Sequence, residues 1–411
     1  LSFGRARGAP ARAQQAAWLA MLDLLVLLSA CGTQHALAGT WWRSQIDYLP
    51  PPPQPWTEQT AHQHDAFVGS PSLVRLPPAT ASHGPAVGGS GRWLASHDRF
   101  FAEKVGTTYV FGSASEQPTG WQPLATVSPM HWAQLFAHGQ DVYLIGTSGD
   151  LTSSGDVVVS RCPAPCNGTH WTPSSIIFRG SPEARFHAAP TPVATSADGK
   201  SLYRAFDVHA AAAEDLQITM LTADASCEDL TLPSCWARSP GLASNSTGAV
   251  TAPGRQWEEP VAVVDHRTGV ASVLVRLDVL GSAHCTLSDP TATLECANRA
   301  ALLGFDPRMN TLSFQKFVRL PSGCNKFAVR QDPVDKLFYT LSNPVGQVSA
   351  SSSKYKGNCI QRNELVLARA SASLSDWRTC AVVAWDDLPN KTIAKSIAET
   401  GLQYVDFHFA A

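Results

Sequence analysis

The chain has 411 residues, of which 44% are apolar and only 16% are charged. Its 31 Lys and Arg against 33 Asp and Glu give a net charge of −2, so it lacks the basic field that attracts nucleic acid. The 29 Gly and 29 Pro favour many short strands joined by turns over long surface helices.

The N-terminal segment has the pattern of a signal peptide. Three arginines precede an apolar run at 16–30, and Ala36-Leu37-Ala38 has the A-x-A form of a cleavage site. A membrane anchor is the alternative, but spanning a bilayer takes about 20 apolar residues, and this run is shorter and contains Asp23. The first residue is Leu, so we expect the start of the gene model to be incomplete. We predict a signal peptide at 1–38, a Pro-rich leader at 39–67 and one domain at 68–411.

The ten cysteines agree with a secreted protein, where disulfides form. Cys31 would leave with the signal peptide, so nine cysteines would remain. We expect four pairs among them, which would leave Cys380 free: Cys162/Cys166, Cys227/Cys235, Cys285/Cys296 and Cys324/Cys359. Zinc binding is the alternative for Cys162 and Cys166, but no second Cys/His pair lies near them at the spacing of a zinc finger. No other group of residues in the sequence has the pattern of a metal site. Glycosylation sequons, which suit the same compartment, begin at Asn167, Asn245 and Asn390.

From residue 68 onward, a unit of roughly 60–75 residues recurs, a length typical of propeller blades. Each unit has two apolar strands joined by a turn, a third strand, and a polar loop that ends in an aromatic residue. The first two strands recur at 72–76 with 92–96, 134–137 with 142–145, 191–194 with 201–205, 260–263 with 271–275, and 326–329 with 337–340. A sixth unit begins at Gln403 and stops after one strand. Either the leader supplies the missing strands or the chain is truncated at its C-terminus, and we expect the truncation. The predicted fold is an all-β, six-bladed β-propeller, and a β-sandwich or jelly roll is the alternative.

The loops after the third strands resemble worn copies of the sialidase Asp-box, Ser-x-Asp-x-Gly-x-x-Trp. Their tryptophans remain at Trp121, Trp171, Trp236 and Trp377. Further matching stretches lie at 70–74, 94–98, 186–193, 323–327, 341–345, 362–363 and 403–406. In this order they resemble the sialidase superfamily, in particular the secreted sialidase-like, BNR-repeat proteins.

The resemblance implies a site with an Asp acid/base, a Tyr nucleophile tuned by a Glu, and three arginines on the substrate carboxylate. Asp98 lies where the acid/base is expected, Glu258 is the preferred match to the glutamate, and Tyr404 is the candidate nucleophile. Each also has a structural explanation: a turn aspartate, a solvated glutamate pair and a buried strand tyrosine. The implied activity is hydrolysis of a terminal, acidic sugar from a glycan.

The candidates for binding the substrate are cationic because a guanidinium matches a carboxylate bidentately. Arg276 follows a strand, and Lys326 and Arg362 are weaker candidates; surface ion pairing explains each equally well. The sequence departs from the family at Gly69, where the first arginine is expected. Arg75 is a possible substitute on the same strand.

Two other functions stay open. A propeller lyase acting on uronates would use His187 as acid/base and Arg204 to neutralise the carboxylate, together with Tyr404. A non-catalytic, carbohydrate-binding propeller would explain the missing arginine and the worn repeats. We expect a monomer whose partner is a glycan, with no cofactor, no nucleic acid and no membrane association after signal cleavage.

Overall fold

The computed structural model describes residues 25–26, 67–76, 93–100, 106–114, 120–149, 155–209, 216–244, 256–278, 297–345, 361–385 and 401–409. These residues form 24 strands, and they include one short 3-10 helix, Pro233–Cys235. None of them forms a helix that is long and apolar enough to cross a membrane. The predicted signal peptide and leader lie outside the described residues, apart from β1 (Leu25–Val26) and the start of the next strand.

All strands except the first and the last build five antiparallel sheets, each made from one continuous part of the chain. Blade 1 contains β2 (Phe67–Arg75), β3 (Trp93–Phe100), β4 (Thr108–Ser113) and β5 (Gln122–Val127). Blade 2 contains β6 (His131–His138), β7 (Asp141–Thr147), β8 (Val157–Cys162) and β9 (Ser175–Phe178). Blade 4 contains β16 (Gln256–Asp265), β17 (Val270–Asp278), β18 (Arg299–Asp306) and β19 (Thr311–Arg319). Blade 5 contains β20 (Ala328–Gln331), β21 (Phe338–Ser342), β22 (Glu364–Ala370) and β23 (Arg378–Trp385).

Blade 3 has the same plan with interrupted first and last strands. Its first strand is split into β10 (Arg185–His187) and β11 (Ala194–Thr195), which both pair with β12 (Ser201–His209). The third strand, β13 (Gln217–Asp224), pairs with β14 (Trp236–Arg238) and β15 (Leu242–Ala243). Meandering sheets of four strands, repeated in chain order, are the architecture of a β-propeller.

The described residues form five blades, so the prediction of six is not confirmed. The sixth unit contributes only β24 (Phe407–His408), which pairs in parallel with β1. Asp406, just before it, accepts hydrogen bonds from the Leu73 amide in blade 1 and from Arg330 in blade 5. The segment therefore lies between the first strands of blades 5 and 1, where a first strand of a further blade would lie.

The apolar core lies between consecutive blades. Tyr203 and Met220 of blade 3 pack with Val264 and Val273 of blade 4, and other pairs of neighbouring blades form similar clusters. Because each sheet is covered on both faces, its middle strands are almost continuously apolar; all seven residues of β7 are buried. This explains why the sequence shows short apolar runs in place of clean alternation.

The cysteine predictions are confirmed in part. Disulfides join Cys162 to Cys166 and Cys227 to Cys235, as expected. The expectation that Cys380 is free is wrong, because it is disulfide-bonded, and so is Cys324. The other two expected pairs lie partly or wholly outside the described residues. Disulfides of this kind agree with an extracellular protein.

The tryptophans of the Asp-box-like loops stabilise turns. The indole N–H of Trp171 donates to the carbonyl of Gly168, and that of Trp377 donates to Leu374, in each case three residues earlier. Trp236 makes the same kind of bond to Leu230. These residues hold the turn between the third and fourth strands of a blade and do not line the candidate site.

Candidate active site

Four non-glycine residues at the start of first-strand segments have a left-handed backbone. They are Ser70 at φ 55°, Trp132 at φ 50°, Glu259 at φ 48° and Tyr404 at φ 56°. Positive φ is uncommon for residues with a Cβ. At Ser70, Trp132 and Glu259, the register between the first and second strands of the blade also shifts, which marks a β-bulge. The bulges re-aim side chains at equivalent ends of blades 1, 2 and 4.

Tyr404 and Glu259 form the centre of the site. The Tyr404 hydroxyl donates a short hydrogen bond to Glu259 Oε1, which links the C-terminal segment to blade 4. The other oxygen, Oε2, accepts from Arg276 Nη1 at 2.5 Å. Arg276 also lies 3.3 Å from Glu258 and donates from Nε to the carbonyl of Cys324 at 2.9 Å. A phenol, a carboxylate and a guanidinium thus form one connected chain.

The environment keeps the proton on Tyr404 and the negative charge on Glu259. Burial raises the pKa of Tyr404, and the negative charge of Glu259 raises it further. Burial opposes the ionisation of Glu259 too, but Arg276 and the Tyr404 hydroxyl outweigh it and hold its pKa below the ordinary value. At rest Glu259 is therefore ionised and lies within hydrogen-bond distance of the phenolic proton.

Two further cations flank the Tyr404 ring. The Arg362 guanidinium and the Lys326 ammonium each lie 5.9 Å from the ring centroid. Arg362 donates to Asn325 Oδ1 at 3.1 Å, and Lys326 donates to the carbonyl of Val405 at 3.1 Å. Burial lowers the pKa of Lys326 to about 8, so it is largely protonated at neutral pH. With Arg276, they place three positive charges around one phenol.

Asp98 is fully buried in blade 1. Its carboxylate accepts from the Thr108 hydroxyl at 2.8 Å and from the Trp132 amide at 2.5 Å. Burial nevertheless raises its pKa to about 7. One of its donors, the Trp132 amide, lies in the bulge of blade 2, so that bulge helps to position this carboxyl.

His187 packs beside the residue whose amide binds Asp98. Its ring meets the Trp132 ring edge to face, with centroids 4.5 Å apart. Its Nδ1 lies 2.7 Å from Asp207 Oδ2. Burial opposes protonation of His187, but the Asp207 charge, with smaller contributions from Glu259 and Glu258, raises its pKa.

Two predicted binding residues do not join this group. Arg75 is exposed at the far end of β2 from Ser70, over the ring of Trp93 at 5.9 Å, so it does not replace the arginine expected at Gly69. The separation along the strand is about 17 Å at 3.3 Å per residue. Arg204 is wholly buried, and its guanidinium donates to the carbonyls of Ala189 and Ala205 and to Thr191. In this structure its guanidinium thus binds the protein's own oxygen atoms.

The preference for Glu258 also needs correction. The hydrogen bond to Tyr404 comes from Glu259, while Glu258 is paired with Arg276. The bulge in β16 decides between the two neighbours, because strand alternation without it would place them on opposite faces. A proline follows the bulge residue in both strands: Pro260 follows Glu259, and Pro71 follows Ser70. Proline inside a strand is a sequence signal for a β-bulge.

Sequence reasoning missed three other polar residues: Asp207, His209 and Asp406. The signal for the first two was Asp207-Val208-His209, whose spacing places both side chains on one face of a strand. Asp406 is next but one to Tyr404, and its burial among cations could be seen only from the packing of distant blades.

No protein-family model matches the chain, and no curated protein matches it significantly. Among solved structures, a Hadza microbial sialidase aligns with TM-score 0.48 and 11% identity over 77% of this chain and 58% of its own. A thermostable family-43 glycoside hydrolase aligns with TM-score 0.44 and 9% identity over 78% of this chain and 95% of its own. An exo-β-1,3-galactanase from Clostridium thermocellum aligns with TM-score 0.41 and 10% identity over 63% of this chain and 49% of its own. The chain thus spans about half of the galactanase. These resemblances are distant, and the fold assignment rests on the five sheets themselves.

Proposed function

We propose that the protein is a secreted glycoside hydrolase of sialidase type that releases a terminal, acidic sugar from a glycan. The observation that carries the proposal is the hydrogen bond from the Tyr404 hydroxyl to Glu259, beside Arg276. A neutral phenol paired with a carboxylate is a suitable nucleophile for a substrate that is itself anionic, because a carboxylate nucleophile would be repelled. Tyrosine nucleophiles are a known exception among glycosidases.

The reaction would proceed in two steps. The Tyr404 oxygen attacks the anomeric carbon while its proton passes to Glu259, and Asp98 donates a proton to the departing glycosidic oxygen. The C–O bond to the leaving group breaks as the bond to Tyr404 forms. In the second step the Asp98 carboxylate takes a proton from water, which displaces Tyr404, and Glu259 returns the phenolic proton. The anomeric configuration would be retained.

The cations around Tyr404 support an acidic substrate. Arg276 is already paired with Glu258 and Glu259, whereas Arg362 forms no ion pair with a carboxylate of the described residues. We therefore assign the substrate carboxylate chiefly to Arg362 and Lys326, with Arg276 orienting the glutamates. In this arrangement Lys326 supplies the positive charge that Gly69 cannot.

A uronate lyase is the second candidate, favoured by the 2.7 Å contact between His187 and Asp207. A carboxylate on one imidazole nitrogen raises the basicity of the ring, as proton abstraction requires. The position of Arg204 argues against a lyase. Its guanidinium is buried and donates to a backbone carbonyl, whereas a lyase would need it to neutralise the carboxylate of the uronate. A non-catalytic, carbohydrate-binding propeller is the third candidate.

A glycan panel separates the three. The secreted chain is incubated with glycans that end in sialic acids, in other acidic sugars and in neutral sugars, alongside Tyr404→Phe as the control. We expect a released reducing sugar that is lost in the variant. An ultraviolet-absorbing, unsaturated uronate would select the lyase, and retained glycan binding without either product would select the binding protein. Either result would overturn the hydrolase proposal.

A further inference from the structure

Blade 3 carries a group of potential metal ligands: His187, Asp207 and His209. His187 on β10 and Asp207 on β12 are directly opposite each other in the antiparallel register. His209 lies two residues beyond Asp207, so it projects from the same face. Strand pairing alone therefore brings two imidazoles and one carboxylate together, without contributions from mobile loops.

The ligand atoms converge on one point. Asp207 Oδ2 lies 2.7 Å from His187 Nδ1 and 3.2 Å from His209 Nε2. The ligand atoms of all three residues lie within 4.8 Å of one another. Four ligands at about 2.0–2.1 Å in a tetrahedron are about 3.3 Å apart. The two separations from Asp207 Oδ2 lie within about 0.6 Å of that spacing, and the separation of the two imidazole nitrogens is at most 4.8 Å.

One oxygen of the Asp207 carboxylate is available as a further ligand or acceptor. Asp207 is fully buried, and its Oδ1 has no hydrogen-bond partner among the described residues. Buried polar atoms in folded proteins almost always have a partner, so an unpartnered carboxylate oxygen needs an explanation. The site also has a way in, since the side chain of His209 is 22% exposed while that of Asp207 is inaccessible.

We propose that His187, Asp207 and His209 bind a divalent transition-metal ion such as Zn²⁺. Two imidazole nitrogens with one carboxylate suit zinc and its neighbours, whereas magnesium and calcium prefer oxygen ligands throughout. Three protein ligands leave one position for water. The ion would replace the protons that now join the imidazoles to Asp207, and it would lock β10 to β12.

The metal would also fix the ring that supports the candidate active site. His187 packs against Trp132, whose amide donates to Asp98. The metal proposal rests only on the blade 3 residues and does not depend on the proposed function.

The test is metal titration of the full secreted chain after treatment with a chelator. Zn²⁺ is measured by competition with a chromophoric chelator, and Co²⁺ by its visible absorption. We expect one equivalent bound, with the intense bands of a four-coordinate site, and no displacement by Ca²⁺ or Mg²⁺. His209→Ala should weaken binding by more than about a hundredfold, since even the outer hydrogen-bond partners of a metal-bound His contribute about 10–100-fold.

Two further variants test whether metal binding is specific to this site. His266→Ala removes an exposed histidine in the turn after β16 and should bind metal like the parent chain. Asp207→Asn keeps the shape of the buried side chain, and it should also weaken binding. Absence of stoichiometric Co²⁺ bands in the parent chain would overturn the proposal, as would equal affinity in His209→Ala and the parent.

Discussion

At the scale of single residues, the candidate site depends on where one proton lies. Tyr404 keeps its proton because burial and the adjacent carboxylate disfavour the phenolate. Glu259 stays ionised because Arg276 and the phenol stabilise its charge. The pair is therefore at rest with a neutral nucleophile and a base at hydrogen-bond distance. Nucleophile activation by an adjacent base has this geometry.

Replacing Tyr404 by Phe removes the nucleophilic oxygen and leaves the Glu259–Arg276 ion pair intact. We expect kcat to fall by at least about a thousandfold, since both the nucleophile and its proton transfer are lost. Steady-state hydrolysis of the best glycan in the panel provides the measurement. Tyr339→Phe is the matched control, because it removes a hydroxyl bound to Asp335 at 2.8 Å, away from the site. Equal activity in Tyr404→Phe and the control would rule out this nucleophile.

The raised pKa of Asp98 leads to a prediction for the pH dependence of the reaction. With its pKa raised to about 7, Asp98 is protonated at mildly acidic pH and can donate to the leaving group. The value of kcat/KM should therefore fall as the pH rises above about 7. In Asp98→Asn the rate should drop by about 10²–10⁴-fold and the alkaline fall should vanish. An unchanged alkaline limb in the variant would assign it to another group.

The same carboxyl affects stability with a defined sign. Its pKa in the folded state lies above the ordinary 3.8, so its contribution to stability is complete below that value and is lost as the pH rises to about 7. The loss is about 4 kcal/mol at most. Denaturant unfolding between pH 4 and 8 should show this decline in the parent chain and a smaller one in Asp98→Asn. Parallel curves would contradict a raised pKa.

At the scale of elements, bulges decide which side chains enter the site. A strand alternates its faces, and an inserted residue shifts that alternation by one position. Short apolar runs located the strands, and Val142–Ile145 and Val157–Ser160 lie within β7 and β8. The same patterns cannot reveal where alternation is interrupted. Asp98 and Tyr404 were proposed from the family resemblance, whereas the contact of Tyr404 with Glu259, and not with Glu258, required coordinates.

The bulge in β16 yields a paired prediction. Glu259→Gln should lower kcat by about 10²–10⁴-fold, the usual contribution of a positioned base. Glu258→Gln should change kcat by less than about tenfold, since its contact is a 3.3 Å ion pair with Arg276. The two variants have the same composition and differ only in position. The measurement is kcat of both variants on one substrate. A larger loss of kcat in Glu258→Gln than in Glu259→Gln would make Glu258 the base.

At the scale of the whole molecule, Asp406 joins parts of the chain that are hundreds of residues apart. It accepts from the Leu73 amide at 3.0 Å, from Gln134 at 3.3 Å and from Arg330 at 2.9 Å. These donors belong to blades 1, 2 and 5. Opposite charges hold the pKa of the buried carboxyl below its ordinary value against the effect of burial. Asp406 thereby closes the ring beside Tyr404.

The sequence predicted the repeat and the propeller because every blade has the same strand and turn chemistry. It predicted six blades because six first strands are present. The described residues supply the remaining strands for only five. Contacts such as those of Asp406 join residues without any local spacing, so no periodicity in the sequence can reveal them.

Removal of the Asp406 carboxylate should weaken this closure. Asp406→Ala leaves Arg330 and the Leu73 amide without their acceptor, and breaking a buried ion pair typically destabilises by about 3–5 kcal/mol. The free energy of unfolding from denaturant titration gives the comparison. Lys200→Ala is the control, because its ion pair with Asp198 is exposed and 4.0 Å long. A loss no greater than that of the control would show that the closure does not depend on Asp406.

The most direct test of the account is to trap the intermediate on Tyr404. A fluorinated, acidic sugar fluoride reacts with a retaining glycosidase but leaves the nucleophile slowly, because the fluorine disfavours the oxocarbenium-like transition state. We predict a mass increase of one sugar on the intact chain, located to the peptide that contains Tyr404 and absent from Tyr404→Phe. Hydrolysis of glycans without any such adduct, or an adduct on another residue, would contradict the account.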